Sequence, residues 1–283
     1  MNRRVTVVVS TSLVAIAFAA VVADAHDLFL RPRDFVVTPD SDVQVRVLNG
    51  SFTSSEAMVA PERLRDLTVV GPAGVTHPDR ASWRAATMES RWTVRVGGPG
   101  TYVLGASLDP KTIRLGGTQF NAYLREEGLF NVVADRKAAR ILGDSAHERY
   151  AKHVKSLVRV RAAAGRATPP SDTAYRAVLG YPAELVPLED PYLLPAGGTL
   201  RVLALVDRRP TRGQVVLAGG RSASGVRLPQ RQLRTDSAGV VRVRLDSRGI
   251  WYVKFIDMRT VPATAGDSVT HESKWATLTF ARP

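Results

Sequence analysis

The stretch DVQVRVLNG, residues 42–50, decides the fold. Its valines at positions 43, 45 and 47 alternate with polar residues, and Asn49-Gly50 follows them. A period of two places the three valines on one face of an extended strand. Asn-Gly supplies the positive-φ positions of a tight hairpin turn. The stretch therefore predicts a half-buried antiparallel strand that ends in a turn.

The same alternation recurs on both sides of this stretch. Apolar residues at positions 92, 94 and 96, at 200, 202, 204 and 206, and at 251, 253 and 255 are separated by single intervening residues. Gly97-Gly98-Pro99-Gly100 is one of several turn signals between such runs. Short strands at this spacing predict a mainly β protein of two antiparallel β-sandwich domains, the first immunoglobulin-like and the second a small Greek-key sandwich.

The period changes between the two halves. Thr118 is a predicted cap for a short helix whose apolar residues lie on one face, and Gly128 is its predicted left-handed stop. A second helix is predicted near residues 136–142. Ser145-Ala146-His147-Glu148 has the pattern of a capping box and predicts a third helix, which would place His147 and His153 on its surface. The pattern predicts a helical insertion between the sandwiches.

These signals divide the chain into five segments. We predict a signal peptide over residues 1–25 and an N-terminal β-sandwich over 26–116. A helical insertion with a return strand follows over 117–161. A linker low in large apolar residues and holding two prolines covers 162–173. The C-terminal β-sandwich takes 174–283.

The first residues have the features of an export signal. Arg3 and Arg4 precede the uncharged apolar run 5–22, and Ala23-Asp24-Ala25 offers a small-x-small cleavage pattern. General secretion with cleavage after Ala25, or after Ala23, predicts a periplasmic or secreted protein with no stable transmembrane segment after cleavage. An uncleaved anchor is the alternative, since the apolar run is just long enough to cross a bilayer.

Charge and cysteine content limit the partners. The net charge is +13, and removal of residues 1–25, which hold two arginines and one aspartate, leaves +12. An exported protein does not meet nucleic acid, so we predict no nucleic-acid partner, and acidic envelope polymers or lipid headgroups stay open as partners. The chain has no cysteine, which excludes disulfides and thiolate metal sites.

Cleavage after Ala25 would make His26 the first residue of the mature chain. The freed amine and the imidazole Nδ1 could then chelate one metal ion, an arrangement that suits Cu(II) or Ni(II). Cleavage after Ala23 would instead give Asp24-Ala25-His26, whose amine, backbone nitrogens and imidazole could bind the same metals in a square plane. A histidine that merely follows the signal peptide is the alternative.

Several motifs together resemble one known family. They span nearly the whole mature chain in order and read HDLFLRP (26–32), FNAYLREEGL (120–129), HERYAKHVKSLVRV (147–160), LGYPAELVPLEDPYLL (179–194), TDSAGVVRVRL (235–245), GIWYVKFIDM (249–258) and ESKWATLTF (272–280). The family is the exported bacterial domain of unknown function number forty-one ninety-eight, also described as similar to a substrate-specific component of nickel uptake. The resemblance implies a two-domain periplasmic β protein whose second domain is similar to transthyretin or carboxypeptidase-regulatory modules. It also implies handling of nickel, cobalt or another transition metal.

One position departs from the family pattern, which has a histidine where this chain has Asp257. An oxygen donor there is a harder ligand, less suited to Cu(II) or Ni(II). We expect one of His271, Glu272, Asp257 or His77 to complete a metal site begun by His26, with Asp27 orienting the imidazole.

Three functions follow from the sequence. The first is a periplasmic metal-binding or uptake-accessory protein that uses Ni(II), Co(II) or Cu(II) and meets a membrane transporter or envelope component. The second is a noncatalytic adhesion, glycan-binding or partner-binding module. The third, a copper-dependent oxidative enzyme, needs a second histidine near His26. We expect no catalysis and no nucleotide or organic cofactor, because no nucleophile elbow, phosphate loop or zinc-protease helix occurs.

Overall fold

The computed structural model describes residues 26–162, 172–262 and 267–283. Most of this part of the chain is extended. In chain order its strands are β1 (Asp27–Pro32), β2 (Val36–Val37), β3 (Asp42–Gly50), β4 (Ser55–Ala57), β5 (Leu64–Gly71), β6 (Gly74–Thr76), β7 (Trp83–Ala85), β8 (Ser90–Arg95), β9 (Gly100–Leu108), β10 (Lys111–Leu115), β11 (Ala146–Val160), β12 (Ala183–Pro187), β13 (Thr199–Val206), β14 (Arg209–Pro210), β15 (Val215–Ser222), β16 (Arg227–Arg234), β17 (Val240–Arg244), β18 (Gly249–Thr260) and β19 (His271–Arg282). The helices are α1 (Gly117–Glu126) and α2 (Phe130–Ala138), with 3₁₀ turns at Pro61–Arg63, Arg80–Ser82 and Ala174–Arg176.

The described strands form three sheets. The largest has ten strands in the order β16-β15-β18-β19-β11-β9-β5-β6, with β10 and β2 also paired to β11. A five-stranded sheet has the order β1-β3-β8-β7 with β4 beside β3, and a four-stranded sheet joins β12, β13, β14 and β17. Strands from both halves of the chain meet in the large sheet, where β11 and β19 run parallel. Most other pairs are antiparallel.

The two smaller sheets cover opposite faces of the large sheet. Val158 of β11 lies in the hydrophobic cluster shared with the five-stranded sheet, whereas the preceding Leu157 lies in the cluster shared with the four-stranded sheet. Alternation along a strand sends neighbouring side chains to opposite faces, which gives the molecule its two cores. The predicted mainly β architecture of antiparallel sheets is confirmed. The immunoglobulin-like and transthyretin-like assignments stay predictions.

Strand β1 crosses the large sheet close to β19. The Thr277 hydroxyl donates to the carbonyl of Leu28 at 2.8 Å, and the Thr279 hydroxyl donates to the carbonyl of Leu30. Leu28 and Leu30 are completely buried in the first core. These contacts fix the beginning of β1, and with it residues 26 and 27, against the face of the large sheet.

Both helices, α1 and α2, pack together on one face of the large sheet. Phe120, Tyr123 and Leu124 of α1 form a cluster with Met258 and Trp275 of the sheet. The predicted stop at Gly128 is confirmed by its φ of +72°. The predicted cap is wrong by two positions, because Gly116 precedes the first helical residue. The second helix also begins earlier than predicted, at Phe130.

The predicted third helix is wrong. Residues 146–160 form β11, which is at the centre of the large sheet. The even-numbered residues from Ala146 to Val160 are all buried, so the pattern has a period of two. Pairing with β19, β9, β10 and β2 outweighs the local capping signal. His153, predicted to lie on a helix surface, is buried beside Ser107 instead.

Two predicted segments lie outside the described residues: the signal peptide at 1–25 and positions 163–171 of the linker. Within the described ranges, neither helix is long and apolar enough to cross a membrane. All four tryptophans are buried.

Candidate functional site

A cavity of about 1300 Å³ lies where β1, α1 and the β15–β16–β18 part of the large sheet meet. Its wall combines acidic, basic, aromatic and small side chains. They are His26, Asp27, Phe29, Gly50, Ser51, Phe52, Thr53, Glu56, Leu115, Thr118, Gln119, Ala122, Tyr123, Glu126, Glu127, Gly220, Arg221, Arg227, Leu228, Gln230, Tyr252 and Lys254. A concave site with an apolar body and a few converging polar groups is the usual form of a small-molecule site.

Lys254 of β18 ties the helices and β1 to the large sheet. Its ammonium group donates to Asp27 Oδ2 at 2.5 Å and to both carboxylate oxygens of Glu127 at 2.8 and 2.9 Å. The lysine side chain is 6% exposed, and that of Glu127 is 9% exposed. Glu127 is the C-cap residue of α1, so this contact links the end of the helix to the sheet.

Two carboxylates, Asp27 and Glu127, share the one ammonium group. Burial, followed by repulsion from Asp27, raises the pKa of Glu127 to about 7, although Lys254 opposes the shift. Burial disfavours the charged form of Lys254, but Asp27 and Glu127 outweigh it and raise the pKa of the lysine. The lysine therefore stays charged near neutral pH, whereas Glu127 titrates there.

This shift predicts how stability depends on pH. A glutamate in an unfolded chain ionises near pH 4.5, whereas Glu127 in the folded protein ionises near 7. Between these two pH values the folded state binds more protons than the unfolded state. The contribution of Glu127 to stability therefore falls as the pH rises from about 5 to about 8. We expect Glu127→Gln to remove this fall, which is on the order of 1–3 kcal/mol. Urea unfolding of both proteins at the two pH values measures it, and equal pH dependence would contradict the shift.

His26 lies at the cavity wall, beside Glu56. Its Nε2 is 3.3 Å from Glu56 Oε2, and its imidazole is 15% exposed. Lys152 from the large sheet donates to the His26 carbonyl and to Asn49 Oδ1. Glu56 is therefore the residue that orients the imidazole. The predicted orienting role of Asp27 is wrong, because its carboxylate pairs with Lys254.

Three aromatic rings form the apolar part of the cavity. The ring centres of Phe29 and Phe52 are 5.2 Å apart, and that of Tyr252 lies 5.3 and 4.8 Å from them. The Tyr252 hydroxyl donates to Gln230 Oε1 at 2.8 Å. All three rings are more than nine-tenths buried, so they give this part of the wall a fixed shape.

The predicted metal donors other than His26 lie elsewhere. His271 is buried, with Nδ1 2.8 Å from the Thr270 hydroxyl and its ring 4.7 Å from that of Phe120. Burial, followed by the charge of Arg136, lowers the pKa of His271 to about 4, so it is neutral at pH 7. Glu272 is the next residue on β19 and is occupied by two arginines, at 3.1 and 2.7 Å.

Asp257 and His77 are also separate from His26. Asp257 pairs with Lys274 in the β18–β19 register, and burial raises its pKa. His77 is exposed, with Nδ1 3.2 Å from Asp66 at a smaller cavity of about 280 Å³. In residues 26–162, 172–262 and 267–283, no three or more His, Asp or Glu side chains are grouped so as to hold a metal ion. The structure thus does not bring the predicted donors together.

The role of Lys254 is not evident from the sequence. The residue looked like an ordinary polar position in the alternating strand GIWYVKFIDM, and its carboxylate partners are 227 and 127 positions away in the chain. One signal was available. Tyr252 and Ile256, the same-face neighbours of Lys254, are apolar, so this face of the strand was not a solvent face.

Fold and site together define a mainly β protein with a small-molecule-sized cavity between a strand edge, a helix and a sheet. The match to known proteins places it more narrowly. The chain belongs to the family described as Domain of unknown function (DUF4198), whose pattern it matches over residues 23–258.

Other comparisons are more distant. The chain is 12% identical to a DUF4785 family protein from Legionella pneumophila. That match covers 81% of this chain and 50% of the other protein, with a TM-score of 0.23. It is also 12% identical to a tetra-tandem repeat in the extending region of a large adhesion protein, covering 90% of this chain and 49% of that one, again with a TM-score of 0.23. The chain spans about half the length of both, and neither bears on its function. The comparison with curated proteins gives no match.

Proposed function

We propose that this protein is an exported binding protein and that the cavity beside His26 takes a small organic ligand. One observation carries the proposal: fixed aromatic rings and buried charged groups converge on one cavity of about 1300 Å³. This volume is above the range of roughly 300–1,000 Å³ that is usual for small-molecule sites. Export is supported by the charge and apolar pattern of residues 3–25.

The electrostatics of the cavity favour binding over turnover. Lys254, the buried lysine of the wall, is held by two carboxylates that keep it protonated, so it is a poor nucleophile near neutral pH. Histidine 26 contacts a carboxylate, and no hydroxyl nucleophile is paired with it in the described part of the chain. The arrangement fixes a charge pattern rather than a reacting group.

A matched pair of tryptophan variants tests the site. Ala122 is exposed on α1 and lines the cavity, whereas Ala134 is exposed on α2 and does not. We expect native mass spectrometry of wild type recovered from its native compartment to show a bound small molecule, and we expect Ala122→Trp, which places an indole in the cavity, to lose it. Ala134→Trp should keep the adduct. The proposal is wrong if Ala122→Trp carries the same small molecules in the same amounts.

A transition-metal ion is a second candidate ligand, favoured by the contact between His26 and Glu56. A chelate between the freed amine of residue 26 and the imidazole would use Nδ1, and Glu56 engages the other nitrogen, Nε2. A carboxylate on the second ring nitrogen is the usual way in which proteins orient a metal-binding histidine. Ni(II), Co(II) and Cu(II) are the ions that suit such nitrogen donors. A nickel-uptake role with a membrane transporter stays a proposal, and a copper-dependent oxidation stays a prediction.

Calorimetric titration of a chain that begins at His26 tests the metal candidate. We expect His26→Ala to weaken binding of Ni(II) or Cu(II) by roughly a hundredfold, because the imidazole nitrogen is lost and only the amine of residue 26 can still bind the ion. His77→Ala is the matched control, since His77 is exposed and lies at a different cavity. Equal affinity of wild type and His26→Ala would rule this candidate out.

A further inference from the structure

Two buried polar atoms at the cavity have no hydrogen-bond partner within the described residues. They are the second carboxylate oxygen of Asp27, Oδ1, and the guanidinium Nε of Arg221. Both side chains belong to the cavity wall. Leaving a buried polar group without a hydrogen-bond partner is unfavourable. Each of the two atoms belongs to a charged side chain of the wall, so a ligand in the cavity would lie beside a carboxylate and a guanidinium whose hydrogen-bonding capacity is not used up within the described residues.

The two atoms lie at opposite ends of the cavity, and these ends carry charges of opposite sign. Near Asp27 the wall also holds Glu56, Glu126 and Glu127, against the ammonium group of Lys254 in the wall and that of Lys152 on the His26 carbonyl. That end therefore carries an excess of negative charge. Its unsatisfied acceptor and its charge both fit a cationic N–H donor, for which charge-assisted hydrogen bonds are the strong ones.

The other end is positive. Arg221 and Arg227 face each other in the β15–β16 register, and both line the cavity. Arg31 lies close by, above the Phe52 ring at 5.5 Å. Burial, then the charges of Arg46 and Arg221, lowers the pKa of Arg31, which shows that positive charges are crowded here. An anionic group would relieve this repulsion.

The strand register gives the separation of the two ends. Arg221 pairs with Ile250, which is four positions before Lys254 on β18. At roughly 3.3 Å per residue this places the ends about 13 Å apart along the strand, before the side chains reach towards each other. Phe29, Phe52 and Tyr252 lie in the region between.

We propose that the ligand is a small zwitterion, with a protonated amine at the Asp27–Glu127 end, an anionic group at the Arg221–Arg227 end and an apolar body over the three rings. This inference rests on the proposed function of the cavity and specifies its ligand. Each of the three parts of the wall then has a matching part of the ligand, and neither charge enters the cavity unpaired.

Three probes with six carbon atoms each test the two charges separately. 6-Aminohexanoate carries both groups, hexanoate carries only the anion, and hexylamine carries only the amine. We expect isothermal titration calorimetry on the full mature chain to show 6-aminohexanoate binding at least roughly tenfold tighter than either single-charge probe. Ala122→Trp should abolish binding, and Ala134→Trp should leave it unchanged.

Charge variants locate the two ends. Asp27→Asn should lower the affinity for 6-aminohexanoate to that for hexanoate, and Arg221→Gln should lower it to that for hexylamine. Arg234→Gln on the exposed part of β16 removes the same charge outside the cavity and should have no effect. Circular dichroism and thermal unfolding of each variant verify that it is folded.

The zwitterion is ruled out if hexanoate or hexylamine binds wild type as tightly as 6-aminohexanoate, if none of the three binds, or if the preference survives both charge variants. These outcomes do not decide the proposed function. Binding in the cavity as such is judged by the adduct that Ala122→Trp loses, so the two failures are distinguishable.

Discussion

Replacement of Lys254 by methionine is expected to lower the free energy of unfolding by about 3–5 kcal/mol. The substitution leaves Asp27 and Glu127 buried next to each other without their shared ammonium group. Two carboxylates in such a place repel each other and lack a compensating charge. Urea unfolding at pH 8, where both are ionised in the unfolded chain, measures the loss.

The loss should be largely reversible by neutralising the partners. Lys254→Met combined with Asp27→Asn and Glu127→Gln removes the whole charge cluster and should be more stable than the single variant, because no buried charge stays unpaired. At pH 5 the single variant should also recover part of its stability, since a buried carboxyl can then be protonated. A single-variant loss below about 1 kcal/mol would show that Lys254 does not hold the cluster together.

Glu184→Leu is expected to have a comparable effect, about 3–5 kcal/mol. Glu184 of β12 forms an ion pair with Lys155 of β11, and both side chains are at least 97% buried. The glutamate also accepts backbone N–H groups of residues 179, 180 and 181 at 2.7, 2.8 and 3.2 Å. The substitution therefore leaves three N–H donors without their acceptor and the ammonium group without its counter-ion, with only the Ala177 carbonyl at 2.9 Å still accepting from it.

The reverse substitution should cost less. Lys155→Met leaves the Glu184 carboxylate with its three N–H donors, which still stabilise the charge. Thermal unfolding of both variants measures the difference. Because the pair joins the large sheet to the four-stranded sheet, wild type should unfold in one transition. Equal losses for the two variants would contradict this reading of the backbone contacts.

The strand content of the protein could be read from the sequence because the signal is local. Val43, Val45 and Val47 alternate in the sequence and are all buried in the first core. Residues 146–160 show where local reasoning fails. Their capping box and helical spacing are genuine, but the segment has strand partners on both sides that no local pattern reveals.

The candidate site could be predicted only in part. His26 was singled out from the sequence, and it does lie at the cavity. Its neighbour Glu56 and the cluster around Lys254 come from strands and a helix far apart in the chain, and such contacts depend on the register of the large sheet. His271 shows a different error of local reasoning. Its position at the start of a strand predicts an accessible side chain, but the residue is packed under α1.

The central claim is that the cavity beside His26 is the ligand site of this protein. A crystal structure of the protein isolated from its native compartment under mild conditions tests it most directly. The account predicts a small molecule in the cavity with a donor group within about 3 Å of the Asp27 carboxylate. A small molecule bound at another place on the chain, with the cavity holding only water, would contradict it.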